Sequence, residues 1–184
     1  EKSNNPLPFL YDDISLDIGK TYAKINDLYQ AEISGFSATN KALSLHDIKI
    51  NPILSRKEFN KRIKSEQDYT ICNIDRIELQ NTSWKFYNDT VAVKARNLSI
   101  NKLKTILYRN KYVPDNLSKK KLYSQVLREL PFYIDIDSFS VKEGALTYQE
   151  LQKNKNHYGE INFSKINLKG SHLNNFNYKK DSIS

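Results

Sequence analysis

Three histidines, one cysteine and a few close pairs of carboxylates are the side chains in this 184-residue sequence that could hold a metal, attack a substrate or carry protons. His46, His157 and His172 lie far apart, and none has a second His or a Cys at metal-ligand spacing. Asp47 adjoins His46, but neighbouring side chains leave a strand on opposite faces, so no metal centre is expected. Cys72 stands alone, which excludes an internal disulfide and a Cys-based zinc site. Its apolar surroundings read it as a small buried hydrophobe. Among the carboxylate pairs Asp12–Asp13, Asp135/Asp137 and Glu143/Glu150, the middle one is the most regular. Asp135 and Asp137 share one face of a predicted strand, opposite Ile134 and Ile136. That places them on a solvated outer surface and not in acid–base catalysis.

Phosphate-binding and nucleophile motifs are missing as well. The chain has five glycines and no G-x-G-x-x-G, P-loop, G-x-S-x-G or H-E-x-x-H pattern. An enzyme is not expected, and neither is a cofactor. The net charge of +8 raises the question of a polyanionic partner. Acidic residues are interspersed throughout, however, and no aromatic–basic signature of a nucleic-acid module is present. Most of the lysine excess reads as wetted surface, and nucleic acid is not an expected partner. The densest basic cluster, Arg56, Lys57, Lys61, Arg62 and Lys64, surrounds one predicted helix. It is a solvated face or a contact for anionic lipid headgroups.

The elements that would position these residues are strands. Ile14, Leu16 and Ile18 alternate with polar residues, as do Thr82, Trp84 and Phe86, and Leu146, Tyr148 and Glu150. A longer pattern, apolar-x-apolar-x-x-apolar-x-apolar, recurs along the chain. It runs through Leu43, Leu45, Ile48, Ile50; Cys72, Ile74, Ile77, Leu79; Val93, Ala95, Leu98, Ile100; Ile134, Ile136, Phe139, Val141; and Ile161, Phe163, Ile166, Leu168. Ala31, Ile33, Phe36 and Ala38 form a weaker copy. The alternation slips by one residue at the centre and then resumes. A β-bulge near 46–47, 75–76, 96–97, 137–138 and 164–165 would absorb the slip and return the apolar set to one face. Two short strands joined by a tight turn would also fit the slip, but only Ser34-Gly35 supplies a turn residue there.

Two segments depart from this period. Ser55-Arg56-Lys57-Glu58 is a capping box, and it predicts a helix at about 55–66. Leu122, Val126 and Leu130 share one helix face and predict a second at about 117–130, closed by Pro131. Residues 1–12 read as an arm or linker, 13–173 as the domain, and 174–184 as a polar tail. The expected fold is therefore mainly β: an antiparallel, curved sheet of meander repeats, groove-like or closed as a sandwich, with two short helices. Its candidate functional residues are apolar, namely Leu45, Ile48, Ile74, Ile77, Trp84, Phe86, Val93, Leu98, Ile136, Phe139, Leu146, Tyr148, Ile161, Phe163 and Ile166.

The stretch from Leu43-Ser44-Leu45-His46-Asp47-Ile48-Lys49-Ile50-Asn51-Pro52 through Ile74-Asp75-Arg76-Ile77 resembles a segment of AsmA-like bacterial envelope proteins. Lys111-Tyr112-Val113-Pro114, Leu127-Arg128-Glu129-Leu130-Pro131, Ile134-Asp135-Ile136-Asp137-Ser138-Phe139, Gly144-Ala145-Leu146-Thr147-Tyr148 and Gly159-Glu160-Ile161-Asn162-Phe163 continue the likeness, which covers about 40–173. The resemblance implies a periplasmic segment of a protein anchored in the inner membrane. It also implies repetitive β-structure that handles lipid or serves outer-membrane assembly, with no catalytic residues. Acyl chains or the rest of a parent protein would be its partners. Glu1 at the start and the absence of Met lead to the same expectation of a longer parent. A carbohydrate- or protein-binding β-sandwich is the alternative.

Overall fold

A two-residue period buries one side of a segment only when the backbone is extended, and the segments with that period are strands. The computed structural model describes residues 13–87, 90–115, 127–153 and 157–175, with the backbone alone at 86–87. Its strands are β1 (Ser15–Ile18), β2 (Thr21–Lys24), β3 (Tyr29–Thr39), β4 (Ala42–Pro52), β5 (Tyr69–Tyr87), β6 (Thr90–Asn101), β7 (Lys104–Asn110), β8 (Tyr133–Leu151) and β9 (Tyr158–Asn174). Helix α1 (Arg56–Arg62) separates β4 from β5. All nine strands belong to one sheet, so the sandwich alternative is not what the described residues form.

Two pairs of strands are halves of longer ones. Across the break between β1 and β2 the register against β3 is unbroken: Ile18 opposes Phe36 and Thr21 opposes Ile33. β6 and β7 likewise keep one register against β8, with Asn101 opposite Lys142 and Lys104 opposite Ala145. With those two pairs joined, the nine strands make seven ribbons, in the order β1/β2, β3, β4, β5, β6/β7, β8, β9.

Two expectations need correction. The sheet is mixed and not wholly antiparallel, because β8 runs parallel to both β6 and β7. A parallel neighbour requires a crossover that returns the chain to the starting end of the sheet, and that crossover falls between the end of β7 and the start of β8. The helix expected at 117–130 falls largely outside the described residues; within its described part, Leu127 and Arg128 are helical.

The second correction concerns the slips, which occur where expected but are mostly not bulges. Ile33 opposes Ile48 and Gly35 opposes His46, so Ser34 and Asp47 drop out of the ladder together and no residue is gained. The same happens between Asp47 and Asp75, and between Arg96 and Asp137. The unbridged positions line up across the sheet. One line runs through Lys20, Ser34, Asp47, Asp75, Lys102 and Glu143, and a second through Asn81, Arg96, Asp137 and His172. The non-glycine residues with left-handed backbone, Asp47, Asn81, Lys102, Glu143, Lys165 and His172, lie on or beside these lines. Each strand leaves the ladder at the same level as its neighbour, and register is preserved across the gap. A true register shift occurs between β8 and β9, around Gly144.

On β8 the apolar side does resume past the slip. A Cβ on Gly144 would touch Val141 at 3.5 Å and Ile166 at 3.3 Å, so positions 141 and 144 face the same way although three apart. The fully buried Phe59 of α1 and the buried Ile63 and Val113 form a small core at one end of the sheet, with Leu28, Tyr29, Leu54 and Tyr69 around it. Ser55 and Glu58 cap the helix reciprocally, as the sequence predicts. The rings of Tyr29 and Tyr69 meet Phe59 edge-on at 6.0 and 5.2 Å.

Candidate functional site

Residues directly opposed in a ladder share a face, so the register assembles the candidate residues into rows. Ile18, Phe36, Leu45, Ile77, Ile100, Val141 and Leu168 form one row across all seven ribbons. Ala31, Ile50, Cys72, Thr105, Leu146 and Phe163 form another. Thr82, Ala95, Ile136 and Leu173 form a third. The sheet thus presents a broad apolar face with few polar interruptions.

That face is unevenly covered. Ile48 and Ile136 are buried, at 6% and 4% exposure, whereas Ile161 and Phe163 are 56% and 52% exposed. Leu45, Ile74, Ile77, Trp84, Val93, Leu98, Phe139, Leu146, Tyr148 and Ile166 are half-buried. The backbone of Phe86 pairs with Val91, and its side chain lies outside the described residues.

A cavity of about 360 Å³ opens on this face. Trp84 and Val93 line it, together with Leu16, Phe36, Ala38, Leu43 and Val91, and polar atoms contribute little of its wall. Leu43 and Trp84 lie on opposite sides of the slip at Asn81 yet face the same space, as the reset alternation requires. The sequence reading singled out Trp84 and Val93 and passed over the others, although Leu16, Phe36, Ala38 and Leu43 carry the same alternating signal.

Near α1 the apolar face stops against charge. The Arg109 guanidinium donates to both oxygens of Asp68, at 2.7 and 2.8 Å, and lies 3.3 Å from the buried Glu66. Lys111 donates to Glu66 at 2.6 Å. Asp68 holds the Arg109 charge well above its ordinary range, and Glu66 raises Lys111. Arg109 also stands 5.8 Å from the centre of the Tyr148 ring. The Tyr148 hydroxyl donates to Glu150 at 2.5 Å. Burial first, and then this hydrogen bond, push the phenol up to about 12.

The opposite face is polar and cross-paired. Lys94 meets Asp135 at 2.9 Å, Lys102 meets Asp75 at 3.6 Å, and Lys20 and Lys49 flank Glu32 at 2.8 and 3.9 Å. Asp135 is thus spent on an ion pair, and Asp137 is exposed. Glu143 lies on a slip line and is exposed, while Glu150 accepts from Tyr148. His46 shares a hydrogen bond with Ser44 at 2.9 Å, and His157 and His172 are exposed. Cys72 is half-buried, with the Thr105 hydroxyl 3.8 Å from its sulfur. Among the described residues no group of three His, Cys, Asp or Glu side chains is placed to hold a metal, and no helix is long and apolar enough to cross a membrane. No family model matches this chain, and neither the curated proteins nor the solved structures contain a match to it.

Proposed function

We propose that this chain is a non-enzymatic lipid-handling segment whose apolar sheet face holds acyl chains, in the bacterial envelope setting that the AsmA-like resemblance implies. The cavity lined by Trp84, Val93, Leu43 and Phe36 carries the reading. Its wall offers hydrocarbon contact with almost no polar anchor, which suits an acyl chain and leaves a sugar or a peptide backbone without hydrogen-bond partners. The rows of aliphatic side chains extend that surface over the seven ribbons. Each methylene moved from water into such a surface contributes about 0.8 kcal/mol, so a long chain is held without a specific headgroup site.

Trp84 is the sole tryptophan and lines the cavity, which supplies a built-in reporter. A fatty acid brominated near mid-chain should quench its fluorescence in a saturable way, and unbrominated fatty acid should compete. Absence of saturable quenching would reject the acyl-chain reading.

A further inference from the structure

The end of the sheet that carries α1 has a second kind of surface. Leu28, Tyr29, Leu54 and Val113 pack there on Phe59 and Ile63. Backbone bonds from Ile53 to Leu28 and from Glu66 to Pro114 tie the surrounding connections together. Beside these buried contacts, Ile25, Ile53 and Tyr112 are 52%, 43% and 51% exposed.

The basic cluster divides by its position around the helix. Arg56 lies on the inner side, over the rings of Tyr108 and Tyr69 at 4.3 and 5.6 Å. Lys57 and Lys61 are four residues apart and share the side opposite Phe59. Lys57, Lys61, Arg62 and Lys64 are exposed and form no salt bridge among the described residues. On the polar sheet face, lysines find carboxylates across the strands. Here the nearby carboxylates are already engaged: Glu58 in the helix cap, Glu66 and Asp68 with Arg109 and Lys111, and Asp27 with Lys24.

We infer that this end is a docking surface for an anionic lipid bilayer. Exposed apolar side chains beside exposed cations that form no close ion pair are the combination that partitions into a membrane interface, with hydrocarbon at the acyl boundary and ammonium groups among the headgroups. A nucleic acid or an acidic protein would satisfy the cations and leave the exposed Ile25 and Ile53 without a role. The inference is independent of the acyl-chain cavity, which is lined by other residues.

The test is co-sedimentation of the full chain with phosphatidylglycerol–phosphatidylcholine vesicles and with pure phosphatidylcholine vesicles. Binding should require phosphatidylglycerol and weaken with salt. The variant Lys57→Gln/Lys61→Gln/Arg62→Gln/Lys64→Gln should lose about 1000-fold in partitioning, while Lys57→Arg/Lys61→Arg/Lys64→Arg keeps it. Ile25→Ser/Ile53→Ser should lose roughly tenfold at unchanged charge. Both losing variants should keep wild-type circular dichroism and wild-type Trp84 quenching by brominated fatty acid, which separates this surface from the cavity. Failure to bind phosphatidylglycerol vesicles, or equal partitioning of all variants, overturns the inference. So does equally tight binding to duplex DNA or polyglutamate that Ile25→Ser/Ile53→Ser leaves unchanged.

Discussion

The ring of Phe139 on β8 lies across the backbone of Gly170, its opposed neighbour on β9, in the space that a side chain at 170 would need. Gly170→Ala should therefore lower stability by about 1–3 kcal/mol through overpacking. The ring can relieve the clash only by leaving its row. Combining the change with Phe139→Leu should cost less than the sum of the single effects, because the two positions compete for one volume. Urea midpoints of the two single variants and the double variant measure the coupling. Strict additivity would mean that the ring does not lie there.

Lys165 tests the slip. Its side chain is exposed and its backbone is left-handed, with φ 53°, a conformation that costs an L-residue roughly 1–2 kcal/mol and glycine little. Lys165→Gly should raise stability by about 0.5–1 kcal/mol, and Lys165→Val should lower it. Ser164, next to it in ordinary strand geometry, should show the opposite sign on replacement by Gly. If both glycine variants destabilise equally, the strand passes 165 without leaving the β region.

These two sites mark what was legible in the sequence. Ile74 and Ile77, or Val93 and Leu98, announce an interrupted strand because alternation is local and each strand carries its own copy. The capping box at Ser55 and Glu58 is equally local. The origin of the slip was not legible, because a single strand cannot reveal that its neighbours slip at the same level. Nor was the parallel pairing of Val93 with Ile134, which depends on the crossover and not on either strand. Leu43 and Trp84 are apolar in sequence, but their facing one cavity follows only from the register of β4, β5 and β6.

Arg109 holds the charged end of the apolar face together. Arg109→Met would leave the buried Glu66 with Lys111 alone and strip Asp68 of a two-oxygen contact. A loss of about 2–4 kcal/mol is expected, because the half-buried Asp68 loses its two-oxygen contact and the buried Glu66 keeps one cation in place of two. Arg109→Lys should recover only part of it, since an ammonium cannot donate in parallel to both oxygens of Asp68. Full recovery by Lys in thermal denaturation would reduce the interaction to simple charge.

Tyr148 gives an alkaline signature. Its phenol is pushed up to about 12 by burial and by the hydrogen bond to Glu150. The folded state thus favours the protonated form relative to the unfolded chain, where a tyrosine ionises near 10. This contribution is complete below pH 10 and is lost as pH rises toward 12. Stability should fall across that window, and Tyr148→Phe should flatten the fall. Ultraviolet titration should show a phenol ionisation near 12 that is absent in Tyr148→Phe. A variant curve parallel to the wild type would assign the alkaline loss elsewhere.

Ile136 and Phe163 separate packing from binding. Both belong to the apolar set, but Ile136 is 4% exposed and Phe163 is 52% exposed. Ile136→Asp would bury a charge with no partner and should unfold the domain at room temperature, a cost of several kcal/mol. Phe163→Asp places its charge at an open edge and should stay within about 1 kcal/mol of wild type. Val93 lines the cavity beside Trp84 and is half-buried, so Val93→Asp should remain folded while introducing a carboxylate where an acyl chain would lie. Brominated fatty acid should then quench Trp84 in wild type and in Phe163→Asp, and fail to quench it in Val93→Asp. A folded Val93→Asp protein that is quenched as strongly as wild type would place the acyl chain away from this cavity. Loss of quenching in Phe163→Asp as well would extend the bound chain along the face to β9.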